Sequence, residues 1–173
     1  MNTEHMEFKY KAIGTIHSEF KNKEDTPIQS IFSDSIGTVE VLPEYAPGLQ
    51  DLAGFSHAYL IYHFTQAEEY SLTVRPFVQG KKGIPRGIFS TRHYNRPNPI
   101  GISIVEILAF QGIKANMIKV RGIDVLDGTP LLDIKPYVTQ FDARENVRNG
   151  WVDEQRVEEI QSKFTPKGLS ERD

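Results

Sequence analysis

GISIVEILAFQGIKANMIKVRGIDV, residues 101–125, is the stretch that decides the fold class of this chain. It contains two runs rich in Ile and Val, 101–110 and 115–125, and the residues between them are typical of a hairpin turn. A third such run, 131–138, follows the turn Asp127-Gly128-Thr129-Pro130. Because these runs are joined by short turns and not by helices of about 10 to 15 residues, they favour an antiparallel sheet or a closed barrel over a βαβ fold.

Three further segments extend the predicted sheet toward the N-terminus. Apolar and polar residues partly alternate over 8–18, and a β-branched run over 36–42 ends at Pro43. The segment 55–64 is apolar on both faces, which is typical of a strand buried in the middle of a structure. Between the last two, 49–53 is predicted to form one helical turn.

The C-terminal part differs from the rest of the chain in its residue pattern. Residues 153–164 are mostly polar, with Val157, Ile160 and Phe164 at helical spacing, which predicts an amphipathic helix. We therefore predict a mainly β protein, a single small antiparallel β-barrel domain over 1–141. A C-terminal helical extension of the same domain is predicted over 142–173.

The composition excludes several classes of site. The chain has 173 residues, which fits one domain, and its lack of cysteine excludes disulfides, thiolate zinc sites, iron–sulfur clusters and a cysteine nucleophile. The five histidines include no His-x-x-x-His pair, so no metal site is predicted. No signal peptide pattern and no apolar run of roughly 20 residues is present, so we expect a soluble, cytoplasmic protein without a membrane segment.

The charge is distributed unevenly along the chain. The net charge is −3, yet 70–105 contains no Asp or Glu and six Lys or Arg residues, which leaves −9 for the remainder. One basic segment on a mildly acidic protein suggests an anionic ligand or a nucleic acid. A solvated basic loop is the alternative explanation.

A candidate site lies in this basic segment, in GIFSTRHYNRPNPIG, residues 87–101. Its two prolines near the end exclude a helix. If the preceding residues are extended, Arg92, Tyr94 and Arg96 fall on one side of the chain and His93 on the other. Two guanidinium groups beside an aromatic ring suit a carboxylate or phosphate next to a stacked base. The alternative is a proline-stiffened connection with surface arginines.

A second candidate lies in DVLDGTPLLDIKPY, residues 124–137. Its Asp-Gly-Thr-Pro turn has backbone N–H groups and a hydroxyl that could hold a polar ligand, although turn formation alone also explains it. Asp133 and Lys135 share one side of the next strand and need charged partners. We expect those partners to be Arg92 and Arg96.

Together, residues 90–101 and 124–137 resemble the TsaA-like family, whose studied bacterial members are the TrmO tRNA methyltransferases. Residues 13–16 (IGTI) and 52–57 (LAGFSH) add supporting matches, and the resemblance covers about 8–140. It implies a small β-barrel enzyme that uses S-adenosylmethionine to methylate N6 of threonylcarbamoyladenosine at position 37 of tRNA. It also implies a homodimer with the cofactor near its interface.

The resemblance further implies the residues of the site. Arg92 would pair with the methionine carboxylate of the cofactor, apolar side chains would hold its adenine or thioether, and the 128–131 turn would bind its polar edges. The implied cofactor contacts are Ser30, Ile31, Phe32, Thr65, Gln66, Arg92, Ile102, Gly128, Thr129, Pro130 and Leu131. The expected RNA contacts are Lys81, Lys82, Arg86 and Arg96. The catalytic proton acceptor is left open, with Asp127 and Asp133 as candidates that also fit a structural role.

Two positions depart from the family pattern. Many relatives have Arg where this chain has Ile28, and often His where it has Thr65. We expect these departures to change recognition of the substrate before they change binding of the cofactor. An alternative function is therefore a non-catalytic module on the same barrel that binds S-adenosylmethionine or a nucleotide and regulates a partner, and methylation of a different substrate is a third possibility.

Overall fold

Six antiparallel strands close into a barrel in this computed structural model, which describes residues 6–77, 83–111 and 116–154. The strands within those ranges are β1 (Gly14–His17), β2 (Ile36–Val41), β3 (His57–His63), β4 (Thr73–Val74), β5 (Arg86–Gly87), β6 (Ile100–Gln111), β7 (Met117–Arg121) and β8 (Thr129–Pro136). The barrel order is β1-β2-β7-β6-β3-β8, and β4 pairs with β5 as a separate two-stranded sheet. The predicted antiparallel barrel is confirmed.

The strands are connected by short helical turns. One α-helix, α1 (Thr139–Asp142), is found in the described part of the chain. The 3-10 helices there are Lys23–Asp25, Ser30–Phe32, Ala46–Leu49, Leu52–Gly54, Ile88–Ser90 and Gly150–Glu154. No helix among the described residues is long and apolar enough to cross a membrane.

The length of β6 creates the opening that matters for function. Its first half pairs with β3, from Ile100 opposite His63 to Glu106 opposite His57, whereas only its second half, from Glu106 onward, pairs with β7. The 3-10 helix Ser30–Phe32 packs against β6, and its first two residues lie near Ile102 and Ile104 of the first half. A surface depression between strand and loop follows from this arrangement.

The core is formed by the inward face of each strand. In β3, Ala58, Leu60 and Tyr62 are buried, while the alternate side chains are partly buried or, at His63, exposed. The predicted strand is present as β3 and is paired on both edges, with β6 and β8, but so is every strand of a closed barrel, so β3 holds no central place. The prediction that both of its faces are buried is wrong: in a single-layer barrel only one face of each strand meets the core.

Several predicted boundaries are corrected by the structure. β1 begins at Gly14 and not at residue 8, since 8–12 are exposed. β7 ends at Arg121 because Gly122 has a φ of +94°, a conformation that L side chains rarely adopt. In place of one turn over 49–53 there are two 3-10 helices, which meet at Asp51 with its φ of +65°. The predicted helix 153–164 lies almost entirely outside the described residues.

The segment 87–101 is the largest departure from an extended chain. After β5 it forms the 3-10 helix Ile88–Ser90 and then tight turns closed by hydrogen bonds from Arg96 N to Tyr94 O and from Ile100 N to Asn98 O. Arg92, Tyr94 and Arg96 therefore do not form one face of a strand. The two prolines shape turns where the sequence suggested an extended run.

Candidate ligand-binding cleft

A cleft of about 520 Å³ lies on the outer surface of the barrel, where β3 and β6 meet the loops. Its loop residues are Gln29, Ser30, Ile31, Ser33, Arg92 and Tyr137. Its strand residues are His57, Tyr59, Ile102, Ile104, Glu106 and Arg121, with Gly122 just after β7. A smaller cavity of about 170 Å³ between 48–55 and the end of β8 has Asp51 as its one charged lining residue, so the larger cleft is the better candidate.

Strand register explains why the cleft has an apolar floor. Outward-pointing residues of β3 and β6 stand opposite each other, Tyr59 against Ile104 and Ile61 against Ile102. Ile102 and Ile104 are 49% and 40% exposed, which is high for large apolar side chains in a paired strand. The Tyr137 ring lies 5.7 Å from the Tyr59 ring and adds a second aromatic surface.

Arg92 provides a cation at one edge of the cleft. Its Nη1 donates a 2.5 Å hydrogen bond to Oε1 of Gln29, and Gln29 Nε2 donates to the carbonyl of Ile28. The guanidinium is thereby hydrogen-bonded to a neutral group, and it stays exposed. A guanidinium in this state can bind a carboxylate or phosphate in a bidentate manner.

Asp124 is the carboxyl group that connects the cleft to the barrel interior. The Ser103 hydroxyl donates to Asp124 Oδ1 at 2.5 Å. Desolvation raises the pKa of Asp124 to about 6, against the opposing effects of Ser103, the backbone of Ser30 and the charge of Arg92. Two residues that line the cleft, Ser30 and Arg92, are therefore electrostatically coupled to one buried carboxyl group.

The opposite edge carries an ion pair. Arg121 Nη1 lies 2.6 Å from Oε2 of Glu106, and both side chains are more than a third exposed. The pair places one charge of each sign on the rim, where a ligand with hydroxyl groups can exchange hydrogen bonds with either partner. Its own contribution to stability is small, about 0–1 kcal/mol for an exposed pair.

The structure brings together four of the predicted cofactor residues, Ser30, Ile31, Arg92 and Ile102. Phe32 follows Ser30 and Ile31 in the same 3-10 helix but does not line the cleft. The remaining predicted contacts lie elsewhere. They are Thr65, Gln66, Gly128, Thr129, Pro130 and Leu131.

Strand pairing accounts for this separation. Leu131 is buried in the core and pairs with Tyr62 near the end of β3, whereas the cleft uses its first half. The Thr129 hydroxyl donates to the carbonyl of Leu126, and Gly128 N donates to Ile16 O, as in a structural turn. Thr65 and Gln66 follow β3, where the Gln66 carbonyl accepts a hydrogen bond from Lys23.

The two candidate proton acceptors are ion-paired. Asp127 accepts hydrogen bonds from Lys21 and from the backbone of Ser18, which lower its pKa. Asp133 pairs with Lys135 at 2.9 Å, so the expectation that these two charges would be partnered by Arg92 and Arg96 is wrong. Residues two apart on one strand face point the same way, and their side chains satisfy each other. Neither carboxylate lines the cleft.

The predicted RNA contacts have varied surroundings. Arg96 directs Nη1 to the carbonyls of Thr91, His93 and Ile88, at 2.8, 3.3 and 3.4 Å. The guanidinium of Arg86 lies 5.5 Å from the Trp151 ring. Lys81 and Lys82 are outside the described residues. Binding of RNA by these four residues stays a prediction.

Sequence reasoning missed most of the cleft's wall. Asp124 lies in the segment 124–137, but no local pattern marks a carboxyl group that residues 20 or more positions away remove from solvent. His57, Tyr59 and Glu106 could have been found from the alternation of their strands once the inward face was known. Among the residues that the structure describes, no group of three or more His, Asp or Glu side chains is placed to hold a metal ion.

The fold and cleft define a class of protein: a small β-barrel with an amphipathic ligand site on its outer surface. The family model for the tRNA-methyltransferase O N-terminal domain matches residues 15–143. The chain belongs to this family.

Individual relatives agree with this assignment. The chain is 52% identical over 145 residues to a probable S-adenosyl-L-methionine-binding protein of Pyrococcus abyssi, covering 83% of this chain and 76% of that one. It is 36% identical over 137 residues to the tRNA (adenine(37)-N6)-methyltransferase of Escherichia coli K12, covering 76% and 58%. A crystal structure of TrmO from Pseudomonas aeruginosa superposes with a TM-score of 0.70 at 38% identity, covering 86% and 64%. The matched region thus spans less than two thirds of the latter two proteins.

Proposed function

We propose that this protein is an S-adenosylmethionine-dependent methyltransferase that methylates N6 of threonylcarbamoyladenosine at position 37 of tRNA. The observation that carries the proposal is the cleft, which combines an exposed guanidinium, aromatic rings and apolar side chains in a chain of the TrmO family. The relatives' names supply the cofactor and the tRNA position.

The residues of the cleft fit the cofactor chemically. Its volume of about 520 Å³ lies in the range of small-molecule sites, about 300–1,000 Å³. Arg92 would bind the carboxylate of the methionine part, and Tyr59 and Tyr137 offer ring surfaces for the adenine. Ile31 and Ile102 would contact the apolar atoms around the sulfur.

When bound, S-adenosylmethionine supplies an electrophilic methyl group on its sulfonium. The protein's task is then to align the nitrogen of the substrate, to exclude water and to accept a proton. With a ligand covering them, Ile102 and Ile104 would keep water from the floor of the cleft. Asp124 is the carboxyl group coupled to the cleft residues Ser30 and Arg92, so it joins Asp127 and Asp133 as a group to test for the proton acceptor.

The protein is proposed to act as a homodimer. Ile100, Ile102 and Ile104 form an outward apolar row on β6 in which each residue is at least 40% exposed. A second copy covering this row would remove apolar surface from water. It would also offer a route by which residues 128–131, which lie away from the cleft of their own chain, contact the cofactor of the other chain.

tRNA is proposed as the substrate because the basic segment borders the cleft. Arg92 lines the cleft, and Arg86 and Arg96 lie in the same segment, 70–105, which contains no Asp or Glu. Cations around the cleft would bind the phosphates on either side of the target nucleotide. Ile28 and Thr65 differ from the family pattern, so unmodified tRNA and other RNAs belong in the substrate panel.

The test is transfer of a labelled methyl group from S-adenosylmethionine to tRNA with and without threonylcarbamoyladenosine. We expect transfer to the modified tRNA only, with a large loss in Arg92→Ala and none in Arg148→Ala, a matched change at an exposed arginine outside the cleft. Asp124→Asn, Asp127→Asn and Asp133→Asn then identify the proton acceptor as the variant whose kcat falls while cofactor affinity is kept.

The outcomes separate the alternatives. Tight binding of S-adenosylmethionine with no transfer to any tRNA would favour a non-catalytic regulatory module and overturn the enzymatic proposal. Consumption of the cofactor in a cell extract with adenosine 37 unmodified would point to a different substrate. Equal activity of Arg92→Ala and wild type would remove the proposed role of this cleft.

A further inference from the structure

Three near-parallel aromatic rings lie next to Arg92. Two belong to the loop that follows it, at His93 and Tyr94, and the third is Phe77, which precedes β5. The ring of His93 lies 4.8 Å from that of Phe77 with an interplanar angle of 9°, and 4.6 Å from that of Tyr94 with an angle of 24°. Phe77 and Tyr94 are themselves near parallel, 20° apart at 5.9 Å. We refer to Phe77, His93 and Tyr94 as the aromatic stack.

The loop orders two of the three rings, those of His93 and Tyr94. Arg96 bridges the carbonyls of Thr91 and His93, and the backbone N–H of Asn95 donates to Nδ1 of His93 at 3.1 Å. This bond assigns the ring proton of neutral His93 to Nε2. Tyr94 also contacts Phe64 at the end of β3, with ring centroids 6.2 Å apart. Phe77 packs on this ordered His93 ring, so it loses less conformational entropy than a free side chain when a ligand stacks on it.

The surroundings of the stack are positive. Lys23 Nζ lies 4.6 Å from the centroid of the Tyr94 ring. Burial, then Arg96, then Lys23 lower the pKa of His93, so the charged side chains that act on this ring are both cations. Phe77 remains 46% exposed although it is stacked on His93. An exposed flat ring in a positive environment matches the two parts of a nucleotide, its base and its phosphate.

The position of the stack relates it to the cleft. Arg92 lines the cleft and His93 is the next residue, and consecutive Cα atoms are about 3.8 Å apart. A nucleotide adjacent to the one held at the cleft could therefore reach the stack. The stack takes no part in the cofactor contacts or in the proton transfer proposed above.

We propose that the aromatic stack is a base-stacking platform for a single-stranded RNA nucleotide next to the methylated adenosine, with Phe77 as the ring that contacts the base. The inference rests on the proposed function, because it assumes that RNA approaches the cleft. Stacking on a ring is tolerant of base identity, so the platform would position the anticodon loop and would not read its sequence.

The test compares Phe77→Leu, which keeps an apolar side chain without a ring, with Phe77→Trp, which keeps a ring. The dissociation constant of the full chain for tRNA bearing threonylcarbamoyladenosine is measured over a series of salt concentrations, and that for S-adenosylmethionine by calorimetry. We expect Phe77→Leu to weaken tRNA binding about tenfold and Phe77→Trp to bind within about twofold of wild type. The salt dependence should be unchanged, because no phosphate contact is lost. Affinity for S-adenosylmethionine should also be unchanged.

Two results would overturn the inference. One is that Phe77→Leu binds tRNA with the affinity of wild type. The other is that Phe77→Leu loses affinity for tRNA and for the cofactor together, which indicates structural damage. Measuring methyl transfer by wild type in the same preparations separates a failure of the stacking inference from a failure of the proposed function. If wild type transfers methyl groups and Phe77→Leu binds normally, only the stacking inference fails. If wild type transfers none to any tRNA, the enzymatic proposal fails, and the binding comparison alone decides on the stack.

Discussion

The Ser103 hydroxyl donates a 2.5 Å hydrogen bond to Asp124 Oδ1, joining an inward-facing residue of β6 to the loop after β7. Ser103 Oγ also lies 2.9 Å from the hydroxyl of Tyr62, and because a serine has one hydroxyl proton, Tyr62 is the donor in that pair. The resulting chain of three polar groups leads from the barrel interior to the 3-10 helix that borders the cleft. Its terminal carboxyl group makes the pH dependence of folding a direct probe of the site.

Asp124→Asn should change how stability depends on pH. Burial raises the pKa of Asp124 to about 6 from the usual 3.8, so the folded state binds this proton more tightly than the unfolded state does. The contribution of protonated Asp124 to the free energy of unfolding is fully present below pH 3.8 and is lost as pH rises through about 6. The pKa difference corresponds to about 3 kcal/mol. Urea unfolding between pH 4 and pH 8 should show this loss in wild type and lack it in Asp124→Asn. Asp34→Asn, at an exposed carboxylate, is the control, and parallel curves for wild type and Asp124→Asn would contradict the prediction.

Gly101→Ala should destabilise the barrel next to this polar chain. A Cβ at residue 101 would lie within 2.1 Å of Cε2 of Tyr62 and 2.8 Å of Cζ of Phe64, and neither ring can move freely in the core. Overpacking of this kind costs about 1–3 kcal/mol, and displacement of Tyr62 would also break its bond to Ser103. Thermal unfolding measures the effect. Gly87→Ala is the matched control, since a Cβ there meets nothing within 4 Å, and an equal effect of the two changes would rule out the steric explanation.

The sequence was informative wherever a pattern is local. Runs of Ile and Val predicted β6, β7 and β8, and the short turns between them predicted an antiparallel sheet, as observed. β6 pairs with β7, whereas β8 pairs with β1 and β3. The match of 90–101 to a known family identified Arg92, which does line the cleft. What the sequence could not reveal is which distant groups meet. Asp133 was assigned arginine partners, yet Lys135, two residues along the same strand, was close enough to satisfy it.

Asp124 and the aromatic stack were missed for the same physical reason. Desolvation raises the pKa of Asp124, and Ser103 and the backbone of Ser30, which strand pairing and loop packing bring to it from far along the chain, oppose that rise. The parallel arrangement of Phe77 with His93 requires turns in 91–100 that replace the predicted extended run. In both cases tertiary contacts, and not propensity, determine the chemistry.

Arg96→Lys should loosen the loop that carries the aromatic stack while keeping its positive charge. Arg96 Nη1 donates to the carbonyls of Thr91 and His93, and a lysine side chain ends one bond short of the position of Nη1, so its ammonium should not span both carbonyls. We expect faster amide hydrogen exchange over 91–96 and a loss of about 1 kcal/mol in unfolding free energy. Arg92→Lys, whose guanidinium contacts a glutamine side chain, should leave exchange in the loop unchanged. Identical protection in Arg96→Lys and wild type would mean that these hydrogen bonds do not order the loop.

Ile100→Glu should convert the proposed homodimer into monomers. Ile100 is 40% exposed at the start of the outward apolar row on β6, and it does not line the cleft of its own chain. A carboxylate buried in an apolar interface without a partner costs several kcal/mol, and breaking a buried ion pair, a comparable case, costs about 3–5 kcal/mol. This cost exceeds the free energy that a modest interface can offset. Light scattering after size exclusion should give the mass of two chains for wild type and of one for Ile100→Glu. Leu42→Glu, at a residue 41% exposed outside β3 and β6, should remain dimeric. If residues 128–131 contact the cofactor of the other chain, the monomeric variant should also lose affinity for S-adenosylmethionine. A wild-type protein that is monomeric and binds the cofactor with full affinity would show instead that one chain forms the whole site.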